Sequence, residues 1–253
     1  MKITHIGGPT AVLNLGGLTF LIDPAFDEPR DYQLPGRVMT KLTGPAIPAA
    51  ELGPIDVALV SHDEHKDNLD DAGRALLPSI PTVLSTPGAA VRIPGVRGLK
   101  NWESIDLPRP DGGVITVTGV PALHGPEGAE AVVGFVTGFV LQGEDLPTVY
   151  VSGDNASLGL VKEIADRFAS IDVAVLFAGA ARTGLLDNAN LTLTSTDAVE
   201  AARILDRATI VPVHTEGWKH FSEGPEQFVA AFRDAGLEDR VRVLEHGVAT
   251  SLD

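Results

Sequence analysis

The chain has 253 residues, 44% of them hydrophobic and 21% charged, with 34 acidic against 19 basic side chains and a formal net charge of -15. Those fractions exclude a disordered chain and allow a sizeable core without staples, while so acidic a surface repels phosphate backbones and anionic lipid, so no nucleic acid and no membrane is expected as a partner. The absence of cysteine removes disulfide scaffolds, thiol nucleophiles and thiolate metal sites, so a metal here must be held by His, Asp, Glu or water.

The opening MKITHIGGPT has neither a charged n-region nor an apolar h-region, and no apolar run approaches the roughly 18 residues that span a bilayer, so a soluble cytoplasmic protein is expected. In chain order, Lys2–Ile6, Ala11–Leu15 and Leu18–Ile22 read as a β-meander broken at Gly7-Gly8-Pro9 and Gly16-Gly17. Residues 24–54 are rich in Pro and Gly and predict a long loop. Ile55–Val60 is a near-continuous apolar run that suits a strand buried on both faces, and Asp70–Leu77 follows as a helix. Strands are expected at Thr82–Ser85, Val114–Val120, Val132–Leu141 and Thr148–Ser152. A helix capped by Asn155 or Ser157 runs to about Phe168, with Leu160, Val161, Ile164, Ala165 and Phe168 at helical spacing. Then come a strand at Asp172–Phe177, a helix from Ser195 or Thr196 to Leu205 and a strand at Ala208–Val213. A helix opens at Gly224-Pro225, and strands at Arg240–Glu245 and Val248–Leu252 close the chain. No repeat or linker interrupts it, so a single α/β domain over 1–253 is expected, two packed sheets with helices outside.

The histidines carry the functional information through their addresses. His62 and His65 follow the run 55–60, His124 follows the strand 114–120, and His214 ends the strand 208–213. Asp154 follows the strand 148–152 in Ser152-Gly153-Asp154. Four strands thus end in side chains of metal-binding type, and loops at strand C-termini are where sheet proteins gather catalytic groups. Neutral imidazole and carboxylate are the ligand set for Zn, Mn or Fe in a chain without thiols. A lone His at a strand end is ordinarily structural; here His62-x-x-His65-x-Asp67 packs three candidate ligands into six residues, with three more behind other strands.

The conjunction resembles the metallo-β-lactamase superfamily. Its most diagnostic run, a strand followed by [S/T]-H-x-H-x-D-H, is matched by Val60-Ser61-His62-Asp63-Glu64-His65-Lys66-Asp67-Asn68-Leu69-Asp70. His124, Asp154 in its Gly-Asp turn and His214 after Pro212-Val213 follow in the family's order. Thr4-His5-Ile6-Gly7 and Leu21-Ile22-Asp23-Pro24 resemble the opening of the branch that includes the L-ascorbate-6-phosphate lactonase. The resemblance implies a four-layer αββα sandwich with metals at one edge. It also implies one ion on His62, His65 and His124, a second on Asp67 and His214, and Asp154 bridging. The cofactor would be Zn2+, one or two ions, with Mn2+ or Fe2+ as alternatives.

Two positions depart from the family pattern. One extra residue separates His62 from Asp67, so either His65 or Glu64 matches the second motif His; His65 restores the run H-x-D-x-x-D. Asn68 stands where the family usually has a second-site His, which predicts a weaker second site. The chemistry implied is a metal-bound hydroxide acting on a small ester, lactone or phosphoester, with Asp67 orienting it and taking up its proton. The same fold could also serve as a catalytically silent metal-binding or scaffold protein. His5 and Asp23 would lie at the rim or behind the ligands. His220 reads either as part of the substrate pocket, hence a catalytic candidate with Asp67, or as structural. Trp218 and Phe221 read as packing beneath the following helix, His246 as surface, and Arg109–Gly113 and Glu127–Glu130 as solvated turns.

Overall fold

The computed structural model describes residues 1–252, in which short apolar runs pair into two large sheets. The first part of the chain gives β1 (Lys2–Gly7), β2 (Thr10–Leu15), β3 (Leu18–Ile22), β4 (Arg30–Leu34), β5 (Arg37–Lys41), β6 (Val57–Leu59), α1 (Asp71–Leu76), β7 (Thr82–Ser85), α2 (Pro87–Arg92) and β8 (Val96–Gly98). The second gives β9 (Ser104–Pro108), β10 (Val114–Ala122), α3 (Glu130–Val133), β11 (Val136–Gly143), β12 (Val149–Val151), α4 (Leu158–Arg167), β13 (Val173–Phe177), α5 (Ser195–Ile204), β14 (Thr209–Val213), α6 (Pro225–Asp234) and β15 (Thr250–Ser251). One sheet has the order β15-β1-β2-β3-β6-β7-β8, the other β14-β13-β12-β11-β10-β9. In the first, β3, β6, β7 and β8 run parallel, and in the second, β12, β13 and β14 do.

Side-chain alternation explains why the sheets stack. Along β13, Val173, Val175 and Phe177 enter the core between the sheets, while Ala174 and Leu176 face α4, α5 and α6. In β6, Val57 and Leu59 enter the same central core, and Ala58 faces the opposite outer layer with Leu69 and Leu77. Phe20, Phe139 and Phe177 are buried in the centre, each contributing about 1.5–3 kcal/mol by leaving water. The result is the expected four-layer αββα sandwich.

Several boundaries differ from expectation for physical reasons. The segment 24–54 is not all loop: β4 and β5 form a hairpin in register Leu34↔Arg37, turning at Pro35-Gly36. Gly36 has φ +75°, which a turn with Pro at its second position and Gly at its third requires. Val132 and Val133 of the expected strand Val132–Leu141 belong instead to the helical turn α3, and Gly134 at φ +87° ends that turn before β11. Arg240–Glu245 forms no strand: Val241 makes one isolated bridge to Ile210 beside the edge strand β14. Pro212, the next residue of β14 facing that side, has no N–H to extend the ladder. Pairing in Val248–Leu252 is confined to Thr250–Ser251. Ser157 caps α4, and Thr194 with Asp197 forms a capping box on α5. No helix among the described residues is long and apolar enough to cross a membrane.

Candidate metal centre

The C-terminal ends of β3, β6, β10, β12 and β14 open at one edge of the sandwich, and each is followed within three residues by a polar side chain of the site. Asp23 follows β3, Ser61 and His62 follow β6, His124 follows β10, Asp154 follows β12 and His214 follows β14. All are buried. The backbone is forced there: Asp23 has φ +36° and His214 φ +57°, values that L residues adopt only under constraint. Gly179 makes room for His214, since a Cβ on it would lie 2.1 Å from the His214 carbonyl oxygen.

His62, His65, His124 and Asp154 bring ligand atoms within 4.8 Å of one another, and so do Asp67, Asp154 and His214. Hydrogen-bond partners fix two of the imidazole tautomers. Ser61 Oγ donates to Asp23 Oδ2 at 2.6 Å, so it accepts from His62 Nδ1 at 3.0 Å and leaves His62 Nε2 bare. The Leu191 carbonyl can only accept, so His124 Nδ1 donates to it at 2.8 Å and Nε2 is bare. His65 Nδ1 faces these two nitrogens at 3.0 and 3.1 Å. One proton can bridge His65 to one of them at a time, whereas one cation satisfies all three. Nitrogens bound about 2.0–2.1 Å from a tetrahedral Zn stand roughly 3.3 Å apart, close to these separations. Asp67 Oδ1 and Asp154 Oδ2 are buried without a hydrogen-bond partner among the protein's own groups, as expected of carboxylate oxygens that face a metal. The donor set therefore fits a divalent cation.

Electrostatics point the same way. Burial, followed by the neighbouring imidazoles His65 and His124, holds His62 well below its ordinary value. Burial lowers His65 to about 4 and His124 to about 3. These rings are neutral at pH 7, the state that binds metal. Burial pushes Asp154 well up, reinforced by Asp67 and Asp23, and pushes Asp23 up to about 7. Burial also acts upward on Asp67, but His220 and His214 together outweigh it and hold its carboxyl well below the usual range.

The sign for stability follows. The unfolded chain protonates its imidazoles near pH 6.5, whereas folded His5 and His65 resist to about 4 and His124 to about 3. Between those limits the unfolded state binds more protons, so this stability is present above pH 6.5 and is lost on acidification, at roughly 1.4 kcal/mol per pH unit for each imidazole. Asp23 and Asp154 act in the opposite sense, but His5, His62, His65, His124 and His214 outnumber them. Urea midpoints of chelator-treated protein should fall steeply from pH 7 to pH 5. A midpoint that holds steady or rises would refute the buried, neutral cluster.

The other expected residues separate clearly. Glu64 points away from the cluster and pairs with Arg92 at 2.5 Å, while His65 faces it. Asn68 is buried, with Nδ2 donating to Asp23 Oδ2 at 2.9 Å and Asp154 Oδ1 at 3.1 Å, so it braces two carboxylates. His220 Nε2 lies 2.9 Å from Asp67 Oδ2, and Arg182 N–H donates to the His220 carbonyl. His5 is outside the cluster: its Nε2 donates to Gly8 O at 2.9 Å, and the same oxygen accepts the His214 N–H at 2.8 Å. His246 is exposed and pairs with Glu216 at 2.6 Å. Trp218 packs against the β4–β5 hairpin, stacked on Tyr32 with centroids 5.7 Å apart, and not beneath the following helix. Phe221 lies against the His214 ring, centroids 4.1 Å apart. Arg37 and Thr183, which line the space beside His65, Asp67 and His124, escaped sequence reading. The Pro35-Gly36 turn was the available cue to the first.

Two facing sheets between helical layers, with a buried His and Asp cluster at one edge, define the metallo-β-lactamase class of fold. The family description "Beta-lactamase superfamily domain" matches residues 19–215. A UPF0173 metal-dependent hydrolase from Pelotomaculum thermopropionicum is 30% identical over 258 residues, covering 100% of both chains. The chain belongs to the beta-lactamase superfamily and, within it, to the UPF0173 metal-dependent hydrolases. A second such protein, from Methanopyrus kandleri, is 26% identical over 257 residues and 98% of each chain. Among solved structures, the isothiocyanate hydrolase from Delia radicum gut bacteria shares the fold at TM-score 0.81, with 24% identity over 99% of both chains. A possible metal-dependent hydrolase from Veillonella parvula shares it at TM-score 0.80, with 22% identity over 100% of this chain and 99% of that one.

Proposed function

We propose that this chain, as one domain over 1–253, hydrolyses a small ester, lactone or phosphoester with the help of divalent metal. His62, His65, His124 and Asp154 would hold one ion, and Asp67, Asp154 and His214 a second; the donor set suits Zn2+, and also Mn2+ or Fe2+. The observation that carries the reading is the convergence of three imidazole nitrogens, His65 Nδ1 standing 3.0 Å from His62 Nε2 and 3.1 Å from His124 Nε2, the latter two left bare by their partners. When bound, such an ion supplies Lewis acidity: it lowers the pKa of water toward 7 and polarises a carbonyl or phosphoryl oxygen.

The chain's own groups do the rest. Asp67 stays anionic and orients the attacking water at Oδ1, which has no other partner. His220 gives its Nε2–H to Asp67 Oδ2, leaving Nδ1 bare. Asp67 Oδ1 takes the proton released as water adds and passes it to the leaving oxygen, while His220 holds the carboxylate in place. The buried walls of the cluster exclude bulk water, which strengthens every charge interaction inside.

Purification without chelator, metal analysis and an assay over lactones, aryl esters and phosphoesters test the reading. At least one equivalent of metal per chain and turnover of one substrate class are expected; less than one equivalent refutes it. Full metal with no turnover across the panel would assign a silent metal-binding protein. Calorimetric titration should resolve unequal sites, because the second set offers one imidazole and Asn68 spends its amide on Asp23 and Asp154. Two equally tight sites would refute that inequality.

A further inference from the structure

The centre opens toward a recess of about 230 Å³ lined by Arg37, Thr40, Arg182, Thr183, Lys219 and His220. Arg37, Thr183 and His220 also border the space beside His65, Asp67 and His124, so the recess adjoins the centre. From its position and charge we infer that this recess takes an anionic substituent of the substrate, a carboxylate or phosphate, held by Arg37, Arg182 and Lys219; this rests on the hydrolase reading above.

The chain has 34 acidic and 19 basic side chains, and ten of the cations have a carboxylate within 4.0 Å. Arg74 and Arg92 share Asp63, Lys41 has Asp70, and Arg109 has Asp111. Among the described residues no carboxylate lies within 4.0 Å of Arg37, Arg182 or Lys219. The Arg182 guanidinium donates only to the neutral Asn190, at 2.7 Å. Arg37 Nη1 and Thr183 Oγ1 are buried without a hydrogen-bond partner. Three like charges gathered around one small recess repel each other, and buried donors without acceptors cost stability. An oxyanion entering the recess would meet both needs at once, and arginine's planar fork suits carboxylate and phosphate equally. The start of β5 carries Arg37 and the 178–183 segment carries Arg182 and Thr183, so the two walls come from separate parts of the chain. The recess is small beside the roughly 300–1,000 Å³ of sites for drug-sized ligands, so the substituent it fits is compact.

Calorimetry on metal-loaded protein tests this with phenylphosphonate, phenylacetate and the neutral phenylacetamide as probes. The wild type should bind both anions and not the amide. Arg37→Gln should weaken the anions at least about tenfold, the loss of one charge-assisted contact. Lys219→Gln, on an exposed side chain that the fold does not need, should weaken them at raised salt less than at low salt. Anion binding unchanged in both variants, or equal binding of amide and anion, would overturn the inference. If Arg37→Gln misfolds, Lys219→Gln decides alone. Preferred binding of phosphonate over phenylacetate points to a phosphate, and the reverse to a carboxylate. Metal content separates the two readings: a metal-free wild type whose anion binding needs Arg37 sinks the hydrolase and keeps the anion site. A metal-loaded, hydrolytic protein indifferent to Arg37 and Lys219 does the opposite.

Discussion

His62→Ala and His124→Ala should each strip most bound metal and at least about 10²-fold of the hydrolytic rate. Either change removes one of three facing nitrogens and leaves the remaining imidazoles to share an ion with Asp154 alone. His62 is the sharper test because its orientation is set in sequence by Ser61 and Asp23. Ser61→Ala should therefore cost less, on the order of 10-fold in metal affinity, since it frees the ring without removing the ligand. Stability gives an independent readout. An ion at 1,000 times its dissociation constant adds about 4 kcal/mol to the folded state, so the melting shift produced by metal should vanish in His62→Ala. Retained metal, rate and melting shift in both variants would place the centre elsewhere.

The parts of this site that were legible in the sequence are the parts that local pattern encodes. The near-continuous apolar run Ile55–Val60 announces a strand buried on both faces, and His62, two residues past it, has only the sheet edge to occupy. The run His62-x-x-His65-x-Asp67 lies within one loop, so its convergence needed no knowledge of the fold. Asn68 shows the limit. Its environment is made by Asp23, 45 residues earlier, and Asp154, 86 residues later, and only the tertiary structure reveals that its amide bridges two carboxylates. The β4–β5 hairpin failed for another reason. Its strands bury only two apolar residues, Tyr32 and Met39, so the two-residue hydrophobic period is too weak to stand out in a Pro- and Gly-rich stretch. Arg37 and the anion recess were lost with it.

Asp70→Ala should be the most damaging substitution outside the ligands, costing about 3–5 kcal/mol of a total stability of about 5–15 kcal/mol. Asp70 closes the histidine-rich motif, and its side chain is fully buried. Its Oδ2 accepts from Lys41 Nζ at 2.9 Å and from the Asp27 N–H at 2.6 Å, and Oδ1 caps α1 by accepting from the Gly73 N–H at 2.8 Å. Removing it strands a buried ammonium and two backbone donors together. Lys41 would keep one acceptor, the Ala25 carbonyl at 2.9 Å, and the Trp218 ring 5.5 Å away. Those do not neutralise a charge held out of water. Lys41→Met should cost less, because Asp70 then still receives two backbone N–H groups. The double variant should recover part of the loss of Asp70→Ala, since it removes the stranded charge. Lys41 ends β5, so the hairpin that carries Arg37 over the recess loosens with this pair. Urea unfolding of the three variants decides the matter. Additive losses, or a loss under about 1 kcal/mol for Asp70→Ala, would show that the pair is not what fastens the hairpin to the motif.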